Sequence, residues 1–341
     1  MMTPLQSKFR KEKQNDMKRI LFPVTLVLLL AAGCAKEAPS DRDIPIQLSV
    51  SLEGSTKATH EEAGTIMDLD LIVRDKHDNS YSFPSTRFYR DGNSWKSDTK
   101  RFWSSHNTTV DILCLSPSVA SRSVSITDDN SSPLFSWEVE SVQTAGSYAS
   151  DLLTSIQTNS DPNITISSGV LGIRLHHAMS LLRINVELAT EFNASGVPPT
   201  CPLEHISIAG LKLKGDYYTK LNSGNQWDGL ELRPVDGSEG SITSYEKSYK
   251  ASQSDVEKCS AVYECIVLPQ TPASFCVKIG TGTKDISFSP TLPANFSFEA
   301  GKSYTLKLKV GKDKIESSNT IYAGGWNGYY SQDLDDEKES I

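Results

Sequence analysis

Apolar and polar residues alternate strictly along much of this chain, and no other feature of the sequence leaves so little choice of fold. Successive side chains on a strand point to opposite faces, so a period of two buries one face only as β-structure. Ile44, Ile46, Leu48, Val50 and Leu52 are apolar, with Pro45, Gln47, Ser49 and Ser51 between them. The rhythm returns in MDLDLIV (67–73) and TTVDILCL (108–115), at Leu182, Ile184, Val186 and Leu188, and at Tyr304, Leu306, Leu308 and Val310. In HISIAGLKLKG the apolar parity switches between Ile208 and Leu211, which predicts a bulge at Ala209-Gly210. Turn signals separate the runs at Asp91-Gly92-Asn93, Asp128-Asp129-Asn130, Asn222-Ser223-Gly224-Asn225, Asp236-Gly237 and Gly280-Thr281-Gly282. The one fair helical candidate is SYASDLLTSIQ, residues 147–157. With 341 residues the chain has room for two domains of ordinary size. The expectation is an all-β chain of two β-sandwich domains, residues 44–190 and 203–327. A Pro-containing linker at 191–202 joins them, and an acidic polar tail follows at 328–341.

Charge divides the chain once more. Net charge is −8 overall, but the first 33 residues hold six Lys or Arg against two Asp or Glu, which leaves −12 on the remainder. An acidic chain without clustered positive charge excludes nucleic acid as a partner. The segment KRILFPVTLVLLLAAGC (18–34) reads as an export signal: a basic pair, an apolar run and small residues before a cysteine. Its end, Leu30-Ala31-Ala32-Gly33-Cys34, resembles a bacterial lipobox, with Ala31 where Leu is usual. The expectation is cleavage between Gly33 and Cys34, acylation of Cys34, and a lipidated tether at 34–43; a plain signal peptide is the alternative. The apolar run is short for a span of ~20 residues. A polar stretch precedes Met17, and translation starting at Met17 gives a signal of ordinary form.

Catalytic signatures are absent from the sequence: it holds no GxSxG, HExxH or GxxxxGK[ST]. Gly280-Thr281-Gly282 reads as a hairpin turn. His176 and His177 are strand neighbours facing opposite ways, unable to share one metal ion, so one is expected in the core and the other in solvent. Asp68 and Asp70 read as the solvated face of a strand. Trp95, Trp103, Trp137, Trp227 and Trp326 read as core plugs, with a sugar-stacking platform as the alternative. Besides Cys34 there are five cysteines, Cys114, Cys201, Cys259, Cys265 and Cys276, an odd number without a CxxC, expected as mostly free and buried thiols. No cofactor or metal is expected.

Four segments carry a resemblance to a known family. LGIRLHHAMSLLRINVEL (171–188), with Leu175, His177, Met179 and Ser180, resembles a segment that leads into a hydrophobic strand. Leu268-Pro269-Gln270 resembles an inter-strand turn, and Gly301, Lys302 and Tyr304 resemble a near-terminal "aGk-x-Y" strand closed by Trp326. SVSLEGSTKAT (49–59) resembles a first strand followed by Thr-basic-Ala. In this order behind a lipobox they make the whole chain similar to the fimbrillin family, the lipoprotein precursors of type V pili. The resemblance implies two transthyretin-like β-sandwich domains in tandem and assembly with other pilus subunits by strand exchange. It also implies attachment to the outer membrane through acyl chains, and adhesion to host or bacterial surface ligands. In such a family a trypsin-like protease cuts after a basic residue beyond the first strand, and a donor strand fills the groove left behind. The matching bond here is Lys57-Ala58. The family offers Arg at this point, so an arginine-specific protease fits poorly, and Lys57 also reads as a solvated loop lysine. Burial of the five apolar side chains of residues 44–52 is worth very roughly 10 kcal/mol. Two other roles follow from the same features. An uncut chain that keeps its lipid is a membrane anchor of the pilus, and an envelope protein with exposed aromatics is a surface glycan-binding lipoprotein. The pair at 304–310 and 320–326 is the expected donor of a stalk subunit.

Overall fold

The computed structural model describes residues 45–53, 66–75, 83–102, 110–118, 132–147, 149–157, 164–165, 170–193, 196–252 and 259–326. The strands run in chain order as β1 (Gln47–Leu52), β2 (Asp68–Asp75), β3 (Phe83–Asp91), β4 (Ser94–Ser97), β5 (Val110–Ser116), β6 (Phe135–Glu138) and β7 (Leu153–Gln157). There follow β8 (Ile164–Thr165), β9 (Val170–His177), β10 (Ser180–Leu188), β11 (His205–Lys212), β12 (Lys214–Leu221), β13 (Trp227–Pro234) and β14 (Glu239–Thr243). The chain continues through β15 (Tyr245–Lys250), β16 (Ser260–Val267), β17 (Cys276–Gly280), β18 (Asp285–Phe288), β19 (Lys302–Val310) and β20 (Ile315–Gly325). Among the described residues the helical content is one 3-10 turn, Thr190–Asn193. The protein is therefore all-β, as the alternation requires.

The first sheet has the order β1-β9-β7-β5-β2-β3-β4, with β8 also on β9. It curls until the beginning of β1 meets the chain just past β4, where the Ile46 amide donates to the Arg101 carbonyl at 2.9 Å. Leu69, Leu71, Val73, Ile112, Cys114, Leu171, Ile173 and Leu175 fill the inside of the curl. The outer face of the same sheet is also covered, because Ile72, Leu113 and Leu115 pack into a second, larger core. Central strands buried on both faces lose their alternation, and every residue of β5 is buried.

The second core lies between a five-stranded sheet, β15-β16-β10-β19-β20, and a four-stranded one, β14-β11-β17-β18; a three-stranded sheet, β13-β12-β6, joins it to the first sheet. Leu182, Ile184 and Val186 of β10 and Tyr304, Leu306 and Leu308 of β19 face Ile206, Ile208, Val277 and Ile279. The register of β11 against β14 shifts between Ala209 and Leu211, and Gly210 takes a φ of +89°, so the bulge is made by the residue that tolerates it. Asp91-Gly92-Asn93, Asn222-Ser223-Gly224-Asn225 and Gly280-Thr281-Gly282 close hairpins.

Three expectations are corrected. Among the described residues of 147–157 there is no helix: Leu153–Gln157 is β7, whose Leu153, Ser155 and Gln157 are buried and whose Thr154 and Ile156 are half-buried, and a short apolar run is ambiguous between the two periods. Asp70 is fully buried, not solvated, and accepts a hydrogen bond from the Ser118 hydroxyl at 2.7 Å. Of the first apolar run, Ile46 and Leu52 are buried while Leu48 and Val50 are half-buried; Ile44 lies outside the described residues. Of the expected donor pair, β19 is bonded on one side to β10 and on the other to β20. Strand pairing also crosses the 191–202 segment: β6 pairs β12, and β10 pairs β16 and β19. Period-two alternation marks a strand but carries no record of which sheet the strand joins.

Candidate functional site

The edge of the first sheet is where the sequence and the structure meet. β1 runs parallel to β9 and pairs it from Gln47–Val170 to Leu52–Leu175; among the described residues its other side meets the chain only at the start, where Pro45 bridges Phe102. Its side chains reach the inner core beside Leu171, Ile173 and Leu175. At ~1.5 to 3 kcal/mol for a fully buried side chain and half that for a half-buried one, Ile46 and the β1 residues Leu48, Val50 and Leu52 together contribute about 4.5 to 9 kcal/mol of apolar burial. β9 keeps partners without it, since β7 and β8 pair its opposite edge.

The downstream end of β1 is clamped by charge. The Glu53 amide donates to the Leu175 carbonyl at 2.8 Å, and the Glu53 carboxylate takes Arg174 Nη2 at 3.5 Å and His176 Nδ1 on its other oxygen. His177 points the other way, as neighbours on a strand must. Its Nδ1 meets the Asp151 carboxylate at 2.9 Å, and its ring stacks on Trp326 with centroids 4.0 Å apart. The end of β9 thus contacts the end of β1 through one histidine and the end of β20 through the next. His177 is the enclosed member of the pair and His176 the exposed one.

Beyond Glu53 opens a cleft of about 1060 Å³ between the outer face of β7 and β9, the unpaired edges of β13 and β20, and the turn at Ala300–Lys302. Ile156, Leu230, Leu232 and Trp326 give it an apolar wall, with Glu53, His176 and Lys302 also lining it. The Gly301 turn explains part of the "aGk-x-Y" signature. Gly301 has a φ of +70°, and a Cβ there would stand 3.5 Å from the His177 carbonyl. Tyr304 completes it, its hydroxyl accepting from the Glu299 amide and donating to the Ser297 carbonyl. Gln270 of the Leu-Pro-Gln turn bonds both the amide and the carbonyl of Lys212, closing the end of β11.

A second cleft, about 700 Å³, holds Glu264. Arg183 binds Glu264 through Nε and Nη2 at 2.9 and 2.7 Å, Tyr245 donates to it at 2.9 Å, and Lys247 lies at 3.5 Å. Burial pushes this carboxyl up, but Arg183, Lys247 and the Tyr245 hydroxyl outweigh burial and hold it below its ordinary value of 4.5. A depressed folded-state value contributes stability that is present above 4.5 and lost as pH falls through the folded value. Acid unfolding followed by tryptophan fluorescence is therefore expected to show a shallower fall below pH 4.5 in Glu264→Gln, together with lower stability at neutral pH. Identical slopes in the two proteins would remove Glu264 from the acid response.

Gly33 and Cys34, and Lys57 and Ala58, lie outside the described residues, as do Trp103 and the tail at 328–341. Trp137 and Trp227 are core residues, Trp95 packs on the inner core, and Trp326 lies on His177, so none of the four stands free as a stacking platform. The five described cysteines are free thiols, and burial pushes Cys114 and Cys265 well up. The Glu53 clamp was missed in the sequence reading. Its signal was present: Arg174 and His176 share the polar face of LGIRLHH opposite Leu171, Ile173 and Leu175.

Comparison with known proteins agrees with this architecture. In structure the chain is similar to a candidate cell adhesion protein from Bacteroides uniformis, with a TM-score of 0.53, 13% identity and coverage of 84% of this chain and 99% of the other. It is similar also to a candidate cell adhesion protein from Bacteroides ovatus, with a TM-score of 0.53, 10% identity and coverage of 83% and 97%. At such identities the likeness is one of fold. No curated protein matches the chain. A family model described as fimbrillin-like matches residues 43–323, from the start of β1 nearly to the end of β20. With that match over most of its length, the chain belongs to the fimbrillin-like family and is a protein of the fimbrial, adhesion type.

Proposed function

We propose that the protein is a structural subunit of cell-surface fimbriae, exported as an outer-membrane lipoprotein acylated at Cys34, assembled with other pilus subunits by β-strand exchange and serving in adhesion. The observation that carries this reading is the seat of β1. It is a six-residue strand at the end of the sheet order, paired to β9 along its whole length, ahead of a segment that contains Lys57. Its loss would expose the β9 edge and an apolar groove at Leu171, Ile173 and Leu175, a surface that another strand satisfies with backbone hydrogen bonds and alternate side chains.

The test is limited trypsin digestion of the refolded protein without its leader, with N-terminal sequencing of the product. Cleavage at Lys57-Ala58 is expected to give a product that forms a ladder of polymers on a gel. Clean cleavage there with persistent monomers would overturn the strand-exchange reading.

A further inference from the structure

We infer that the acceptor site is longer than β1, and that it takes an extended segment from a partner subunit bearing a carboxylate at the position of Glu53 and an apolar side chain about two residues beyond it. The inference rests on the strand-exchange reading above and specifies the chemistry of the strand received.

Two observations carry it. First, departure of β1 takes Glu53 with it, so Arg174 and His176, both paired to that carboxylate, are left together at the end of the groove. A segment that restores only the apolar alternation of Ile46, Leu48, Val50 and Leu52 leaves a guanidinium and an imidazole without their acid; one with Asp or Glu in the next position replaces it. Second, the groove does not end there. Glu53 and His176 line the mouth of the 1060 Å³ cleft, whose apolar wall at Ile156, Leu230 and Trp326 continues the path of β1 beyond Leu175. Beside that path runs the unpaired edge of β13, and the end of the path is bordered by Ala323, Gly324 and Gly325 of β20, where small side chains leave the backbone approachable. An extended chain advances about 3.3 Å per residue with side chains alternating in direction. The residue after the carboxylate therefore turns to the inner side, and the next one follows the carboxylate's side into the cleft.

The experiment uses the mature chain cut at Lys57 and three fluorescent peptides, with binding followed by anisotropy. The first peptide copies residues 46–52, the second adds Glu, Gly and Leu, and the third replaces that Glu by Lys. The second is expected to bind at least about tenfold tighter than the first, since a buried Leu and an ion pair each contribute. The third is expected to bind a few-fold more weakly than the second, because it keeps the Leu and breaks only a solvent-exposed pair. A Leu230→Lys protein is expected to bind the first peptide normally and the second no better than the first. Equal binding of the first and second peptides, or of the second and third, overturns the inference while leaving strand exchange intact. Failure of all three peptides to bind overturns both.

Discussion

Arg74→Met is expected to lower stability by about 3 to 5 kcal/mol, the cost of stranding one charge of a buried pair. Arg74 and Asp111 stand opposite each other on β2 and β5, with side-chain exposures of 6% and 2% and Nη2 at 2.5 Å from the carboxylate. The guanidinium also donates to the Asn225 carbonyl at 2.8 Å and lies over the Trp227 ring at 4.9 Å. It therefore joins the first sheet to the turn between β12 and β13. Methionine keeps much of the volume and none of the charge, so Asp111 is left in the interior facing indole and aliphatic groups. For a chain of this size the loss corresponds to a fall in Tm on the order of 10 °C. Arg74→Met with Asp111→Leu is expected to recover most of the loss, because an apolar pair of similar volume needs no partner. Urea midpoints for the single and double variants decide the matter. A single variant as stable as the parent would mean that water reaches Asp111 and that the contact between sheet and turn is loose.

The same pair shows where sequence reading stopped. Alternation located β1, β2, β10, β11 and β19, because one buried face suffices to impose a period of two. It located β5 too but not its burial on both faces, where Val110 to Ser116 are all buried. Asp70 misled for the same reason: a carboxylate between Leu69 and Leu71 looks solvated until the second core is known to lie over it. Partner choice was equally hidden. Leu182, Ile184 and Val186 announce a strand, but only long-range packing decides that β10 lies between β16 and β19. At the candidate site, the apolar half of β1 and the polar half of β9 were each readable. That Glu53 meets Arg174 and His176 was not, because more than 120 positions separate the partners and register alone brings them together.

Leu52→Asp and Leu306→Asp are expected to have opposite reach, although both place a carboxylate in an apolar core. At position 52 the chain has an escape. The burial that holds residues 46–52, about 4.5 to 9 kcal/mol, is comparable to the cost of ordering these seven residues at about 1 to 2 kcal/mol each. A buried unpaired carboxylate costs several kcal/mol more, and peeling β1 from β9 avoids it. β9 remains held by β7 and β8, so the rest of the first sheet and the whole second core persist. At position 306 no such escape exists, since β19 is bonded on both sides and removing it divides the five-stranded sheet. Hydrogen exchange is expected to show loss of protection confined to the amides of residues 47–53 in Leu52→Asp, and global loss in Leu306→Asp. Unfolding of the second core should keep its midpoint in the first variant and lose its cooperative transition in the other. If Leu52→Asp lowered that midpoint as Leu306→Asp does, β1 would be an integral part of the fold and not a removable one. With β1 peeled back, the groove at Leu171, Ile173 and Leu175 is open while the chain is still intact. Leu52→Asp should therefore also associate in a concentration-dependent way without any protease, which separates the exposure of the groove from the proposed cleavage at Lys57-Ala58.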